Sequence, residues 1–136
     1  MIQYGTPVSL ENATKVAAAA LAEARRNNWL MAVAIVDPAG DLVYFAKIDH
    51  TQVGSTTVAI AKARSAARFK RPTKVFQDTL GAGTDGLRLL SLEGVVAVEG
   101  GVPLIIGGSI AGAIGVSGGV SSQDGQCANA GADALR

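Results

Sequence analysis

The sequence predicts an α+β fold, with a single domain over residues 1–136 and a five-stranded antiparallel sheet flanked by helices. Two groups of short apolar runs predict the strands, a hairpin in the first half and a glycine-separated set at residues 95–119. Segments with apolar residues at three- and four-residue spacing predict helices before, between and after these groups. A chain of 136 residues is long enough to bury the core of one such domain.

The glycine-rich stretch at residues 95–119 consists of three apolar runs separated by the pairs Gly100-Gly101 and Gly107-Gly108. A Gly-Gly pair between apolar runs is typical of a two-residue hairpin turn, because type I′ turns need φ > 0 at both central positions. The stretch therefore predicts a three-stranded antiparallel meander. Gly112 and Gly115 lie inside the third run and indicate a bulge or the close approach of another backbone.

The first half of the chain predicts a helix, a hairpin and a second helix. The first helix covers Ser9–Arg26, with the Ser9 hydroxyl as its N-cap and a left-handed residue at Asn27-Asn28 to end it. The continuous apolar run Met31–Val36 favours a central strand that is buried on both faces, and Leu42–Ile48 is the return strand. The second helix spans Ser55–Lys70.

The second half predicts two more helices around the meander. Thr73–Leu80 is a short helix, and Gly81–Gly86 is a flexible loop before another apolar run. The last helix opens at Ser121, since Ser121 and Asp124 have the spacing of a capping box.

Composition limits the classes of partner. Hydrophobic residues make up 49% of the chain and charged residues only 17%, which predicts apolar surface and hence a homo-oligomer. The net charge of +1 favours neither nucleic acid nor an anionic membrane as a partner. The single cysteine, Cys127, excludes an intrachain disulfide and a cysteine-based metal cluster, and its small neighbours predict a core residue. With no segment of transmembrane length and no signal-like start, we expect a cytoplasmic protein.

Several motifs, taken together and in order, resemble the GlcG/HbpS-like family, which includes the C-terminal domain of the PduO corrinoid adenosyltransferases. The motifs are Asn27-Asn28-Trp29, VDPAGDLVYFAKID, KARSAA at Lys62–Ala67, GGVPLIIGGSIAGAIGVSGG and QDGQCANAG. The resemblance covers nearly the whole chain from about Pro7. It implies a profilin-like α/β/α sandwich, assembly as dimers to octamers, and binding of haem or a part in iron and haem sensing.

His50 is the only histidine and lies at a strand end before the second helix. Under the resemblance it is a candidate ligand for haem iron, and it is equally placed to act as a catalytic general base. The alternative is an exposed loop histidine. PduO-type members take their axial histidine from the first helix, and Ser9–Arg26 contains none, so that ligand does not carry over to this chain.

Lys62 and Arg64 belong to the KARSAA motif and are candidates for binding a carboxylate, such as a haem propionate or an organic acid. The alternatives are a solvated helix face or a salt bridge between subunits. Residues two apart on a helix point about 200° away from each other, so at most one of the two faces a given pocket.

Two further candidates flank the glycine-rich strands. Glu93 could act as a catalytic acid or base, or as a charge that protects a strand edge. Ser117 and Gly118, just before the last helix, could form an anion-binding helix entrance or a simple strand-to-helix turn.

The sequence therefore predicts a small-ligand-binding domain, with haem as the leading ligand by resemblance. One alternative is an enzyme, a hydrolase or isomerase acting on small carboxylated metabolites such as ring-cleavage products. It would use Lys62 or Arg64 to hold the acid and His50 or Glu93 as the base. The other alternative is a structural accessory subunit of a catabolic pathway.

Overall fold

A computed structural model describes all residues from Met1 to Arg136. The elements, in chain order, are α1 (Leu10–Arg26), β1 (Ala32–Val36), β2 (Leu42–Lys47), α2 (Ser55–Phe69), α3 (Thr73–Gly81), a 3-10 helix (Thr84–Ser91), β3 (Gly101–Ile106), β4 (Ser109–Ser117) and α4 (Ser121–Asp133). None of these helices combines the length and the apolar character that crossing a membrane requires.

The four strands form one antiparallel sheet in the order β2-β1-β4-β3. All five residues of β1 are buried, as expected of the predicted central strand. Helices α1 and α4 pack together on one face of the sheet, and α2 packs on the other. The result is an α+β domain whose sheet is covered by helices on both faces.

Helix α2 lies very close to the sheet because both surfaces are made of small residues. Its Ala59 and Ala63 meet β4 at Gly115, where an added Cβ would collide with the Ala59 carbonyl oxygen. The close backbone approach that the sequence predicted at Gly115 is therefore confirmed. A bulge also interrupts the β3–β4 pairing beside Gly112, where the register shifts between Leu104 and Ile105.

The predicted fifth strand, at the start of the glycine-rich stretch, is wrong. Residues 95–100 form no strand. The N–H groups of Val96 and Glu99 bond to helix side chains instead of to a neighbouring strand. The Ser65 hydroxyl accepts from Val96 N at 2.9 Å and donates to Gly94 O at 3.2 Å. Glu99 N donates to the Gln77 side-chain oxygen at 2.8 Å. The expected meander is thus a two-stranded hairpin.

The two glycine pairs have different roles. Gly107 and Gly108 have φ of 58° and 80° and form the β3–β4 turn, as predicted. Gly100-Gly101 is not a turn, because β4 still pairs there: Val116 N donates to Gly100 O at 2.9 Å. Gly101 N donates away from the sheet to the Thr73 hydroxyl, also at 2.9 Å.

Helices α1 and α4 both begin where the sequence predicted, but the predicted cap is confirmed only at α1. The Ser9 hydroxyl accepts from Asn12 N at 3.0 Å and caps α1 as expected. The predicted Ser121–Asp124 capping box is wrong, because Ser121 is already the first helical residue. Instead, the Gln123 side-chain oxygen accepts from Val120 N at 3.1 Å. A 3-10 helix also begins within the predicted flexible loop.

The β3–β4 turn provides a direct test of backbone strain. We expect Gly108→Val to lower the free energy of unfolding by about 1–3 kcal/mol, because a β-branched residue tolerates positive φ poorly. An added Cβ meets no atom within 4 Å at this position, so the loss would come from the backbone alone. Urea denaturation measures it.

Gly81→Ala is the matched control. Gly81 ends α3, has no positive φ and is equally open around its Cβ position. Alanine there should leave the unfolding midpoint unchanged or raise it slightly. An equal fall of the unfolding midpoint in both variants would contradict the strain argument.

Candidate functional site

The largest fully buried side chain in the protein is a lysine. Lys62 of α2 is 1% exposed, and its Nζ lies 2.8 Å from Oδ2 of Asp124 in α4, a residue that is 2% exposed. The same Nζ donates to Val116 O of β4 at 3.1 Å. One ammonium group therefore joins the helix on one face of the sheet, the sheet itself and a helix on the other face.

The carboxylate of Asp124 is held from two directions. Its Oδ2 accepts from Lys62, and its Oδ1 accepts from Gly119 N at 3.0 Å. Burial raises the pKa of the Asp124 carboxyl, while the hydrogen bond and charge of Lys62 oppose that shift. Ion pairing and burial thus act against each other on this carboxyl.

These contacts show how Lys62, Ser117 and Gly118 are used inside the chain. The helix entrance that was expected to bind an anion at Ser117 and Gly118 faces the carboxylate of Asp124. Ser117 is 5% exposed and lies at the end of β4. The cation expected to hold a ligand, Lys62, also meets Asp124. Lys62 and the helix entrance, which were both predicted to bind a ligand, therefore bind the same internal residue, Asp124.

Arg64 points away from Lys62, as the helical spacing predicted. It is exposed, and its Nε donates to Gly40 O at 3.0 Å in the turn between β1 and β2. Arg68, one helical turn later, donates from its Nε to Ala39 O at 2.9 Å. Both arginines brace this turn against α2.

The two proposed acid–base residues lie on exposed turns. His50 follows β2 and has φ of 70°, and Glu93 follows the 3-10 helix. No hydrogen bond or ion pair joins His50, Lys62 and Glu93, and none of the three lines any of the 3 cavities. The structure does not bring these residues together.

A cavity of about 380 Å³ lies beside the single tryptophan, between the end of α1 and the end of β2. Its lining residues are Arg25, Asn28, Trp29, Leu30 and Ile48. Asn28, with φ of 59°, ends the helix, and Trp29 N donates back to Ala24 O at 2.9 Å. The left-handed residue that the sequence predicted at Asn27-Asn28 therefore places the indole ring at this cavity.

His50 is near this cavity in the chain without lining it. It lies two residues beyond Ile48, and the intervening turn is fixed by Thr51. The Thr51 N–H and hydroxyl both donate to Ile48 O, at 3.2 Å and 2.7 Å. Two residues span at most about 7 Å, so the His50 backbone stays close to the cavity wall.

Cys127 is a core residue, as the sequence predicted. It is fully buried in α4. Burial, with a smaller contribution from the charge of Asp124, raises the pKa of its thiol to about 11. The sulfur is therefore protonated at neutral pH and does not act as a thiolate.

Sequence reasoning missed two site residues, Asp124 as the partner of Lys62 and Trp29 as a cavity wall. Asp124 and its partner Lys62 leave a signal in the sequence. Asp124 is the only charged residue between Val120 and Ala132, and Lys62 interrupts the alanine-rich face of α2. A lone charge on an alanine-rich helix face, as at Lys62, indicates a buried pair, because a buried charge is not stable without a partner.

Comparison with known proteins identifies the family. The model of the family described as "Haem degrading protein HbpS-like" matches residues 8–133. The chain belongs to this HbpS-like family. Protein GlcG of Escherichia coli K12 is 34% identical over 110 residues, which cover 81% of each chain.

Two solved structures of the family share the fold. The HbpS double mutant from Streptomyces reticuli has a TM-score of 0.88 and 30% identity, with 99% of this chain and 91% of that chain covered. The PduOC:Heme complex has a TM-score of 0.85 and 27% identity, with 96% of each chain covered. The family resemblance predicted from the motifs is therefore confirmed.

The buried ion pair predicts a large effect of a single substitution. We expect Lys62→Met to lower the free energy of unfolding by about 3–5 kcal/mol, because it leaves Asp124 buried without its counterion. The double variant Lys62→Met with Asp124→Asn should lose less unfolding free energy than Lys62→Met alone, because it leaves no buried charge. Lys74→Met is the control, since Lys74 forms an exposed pair with Asp78, and its unfolding midpoint should stay unchanged.

The loss of unfolding free energy in Lys62→Met should depend on pH. Without the lysine, the pKa of Asp124 in the folded state lies further above its value in the unfolded chain. The folded state then binds the proton more tightly, so stability is highest at low pH and falls as pH rises. Urea titrations should show a larger deficit at about pH 8 than at about pH 5. The opposite trend would contradict this account of the pair.

Proposed function

We propose that the protein binds haem in the cavity beside Trp29, with the imidazole of His50 as the iron ligand. The observation that carries the proposal is an apolar cavity with a cation on its wall, close in the chain to the only histidine. The family description and the haem-bound state of the PduOC relative support the choice of ligand. Bound haem would supply a redox-active iron.

The cavity wall suits a flat apolar ring that carries carboxylates. Trp29, Leu30 and Ile48 provide the apolar surface. Arg25 forms no ion pair within the chain, so its guanidinium is available to a propionate. Its neighbour Arg26 instead pairs with Glu23.

His50 is the proposed iron ligand. The chain has one histidine and one cysteine, and the Cys127 thiol is buried and protonated. The His50 side chain is exposed and makes no hydrogen bond, so no internal partner has to be displaced before the imidazole binds iron.

We also propose that the protein works as a homo-oligomer. The cavity volume of about 380 Å³ lies near the lower limit for ligand sites, so one chain would leave part of a haem uncovered. Leu87, Leu90 and Leu92 are 53%, 72% and 46% exposed along one segment. A second copy of the chain would cover such apolar surface.

The enzyme alternative lacks comparable support. An acid–base enzyme needs its base and its substrate-holding cation at one site. Here Lys62 is buried against Asp124, while His50 and Glu93 lie on separate exposed turns.

Hemin titration tests the proposed ligand. We expect the wild-type protein to shift the Soret band of hemin through an iron–imidazole bond, and His50→Ala to lose that shift because no other imidazole is present. Added free imidazole should restore imidazole ligation in His50→Ala. An unchanged spectrum in His50→Ala would remove His50 from the site, and failure of the wild type to bind hemin would overturn the haem proposal.

Two neighbouring arginines give a matched pair of variants for the same titration. Arg25→Gln should weaken hemin binding about tenfold, because a hydrogen-bonded ion pair to a propionate is lost. Arg26→Gln should leave binding unchanged, since Arg26 does not line the cavity. Equal effects of the two variants would contradict this placement of the ligand.

Light scattering at micromolar concentration tests the assembly. We expect a mass of at least twice the 13.7 kDa of one chain. Leu90→Glu, in the exposed leucine segment, should shift the protein towards the monomer because it places a charge in the proposed interface. A wild-type monomer would contradict the proposed assembly.

A further inference from the structure

A second cavity lies at the free edge of the sheet, and it shares no lining residue with the proposed haem site. It has a volume of about 290 Å³ and runs beside β3, between the α2–α3 link and the end of α4. Apolar side chains make much of its surface, among them Val102 and Ile110, which are 8% and 0% exposed. Ile105 continues the apolar wall.

The polar groups of this cavity are cations and an amide, with no acid among the lining residues. Lys70 ends α2 in a left-handed conformation with φ of 58°, and its Nζ donates to Ile2 O at 2.9 Å. The ammonium also lies 4.7 Å from the centre of the Tyr4 ring. These contacts hold Lys70 in place and leave it without a carboxylate partner.

A second cation, Arg136, also lines the cavity. It pairs with Asp133 on the surface, where both side chains are exposed and the pair contributes little. The amide of Asn129 donates to Gly125 O at 2.9 Å and is thereby oriented at the cavity wall. Apolar walls with two cations and no acid match an amphipathic anion.

The edge of β3 disfavours an extended peptide as the occupant. Gly100 pairs with Val116 through a hydrogen bond, so alternate residues from Gly101 direct their backbone groups outward. The outward N–H of Gly101 is taken by Thr73, and Pro103 has no N–H. A peptide adding to this edge would find few donors, whereas a small ligand needs none of them.

From these observations we propose that the cavity at the β3 edge binds a small amphipathic carboxylate. The aliphatic or aromatic part would lie on Ile105 and the exposed edge of Val102. The carboxylate would meet the Lys70 ammonium, whose remaining N–H groups are free to donate. This site is distinct from the cavity beside Trp29 and shares none of its residues.

Decanoate is the probe, and decanol is its uncharged counterpart. In ¹H–¹⁵N spectra of the whole protein, millimolar decanoate should shift the amides of Lys70, Ile105 and Ile110. Lys70→Met should weaken decanoate binding about tenfold, because a charge-assisted hydrogen bond is lost, and should leave decanol binding unchanged. Arg136→Gln, at an exposed position, should weaken decanoate binding as well.

Lys74→Met is the matched control, because Lys74 is nearby in the chain but does not line the cavity. It should bind decanoate like the wild type. His50→Ala should also bind decanoate normally, which separates this site from the proposed haem site. Equal affinity for decanoate and decanol, shifts confined to the Trp29 cavity, or the absence of binding at millimolar decanoate would each overturn the proposal.

Discussion

The buried ion pair between Lys62 and Asp124 is the interaction on which the arrangement of the layers depends. It connects α2 to α4 through the sheet, and it also occupies the carbonyl of Val116 and the N–H of Gly119. Two charges removed from water cost several kcal/mol unless their geometry and remaining hydrogen bonds are satisfied. Because the pair is satisfied only in this packing, it selects one position of α4 against the end of β4.

The same pair determines where ligands can bind. It uses Lys62 and the backbone N–H of Gly119, next to Ser117 and Gly118, which the sequence had suggested as candidate anion-binding groups. The cations that have no carboxylate partner lie away from this ion pair. Arg25 and Lys70 each line a cavity with apolar walls, and neither has a carboxylate partner. The protein thus offers two places where an apolar surface adjoins an uncompensated positive charge, the combination that amphipathic acids require.

Much of the candidate site could not be predicted from the sequence, for a physical reason. That Arg64 and Lys62 point away from each other follows from helical geometry and was predicted correctly, whereas the burial of Lys62 was not predicted. The partner of Lys62 was not, because it lies 62 residues away and only folding brings the two together. The missing fifth strand has a similar origin. Residues 95–100 are apolar enough for a strand, but the N–H groups of Val96 and Glu99 bond to the side chains of Ser65 and Gln77 instead of to a neighbouring strand.

The sequence by itself determined the features that depend on local chemistry. The Ser9 cap, the left-handed residue at the end of α1, the buried central strand and the turn at Gly107-Gly108 all follow from φ restrictions, capping and apolar patterning within a few residues. Only the tertiary structure decided which charges neutralise one another, which backbone groups lack strand partners and where cavities remain. These outcomes depend on contacts between residues far apart in the chain, and neither composition nor spacing specifies such contacts.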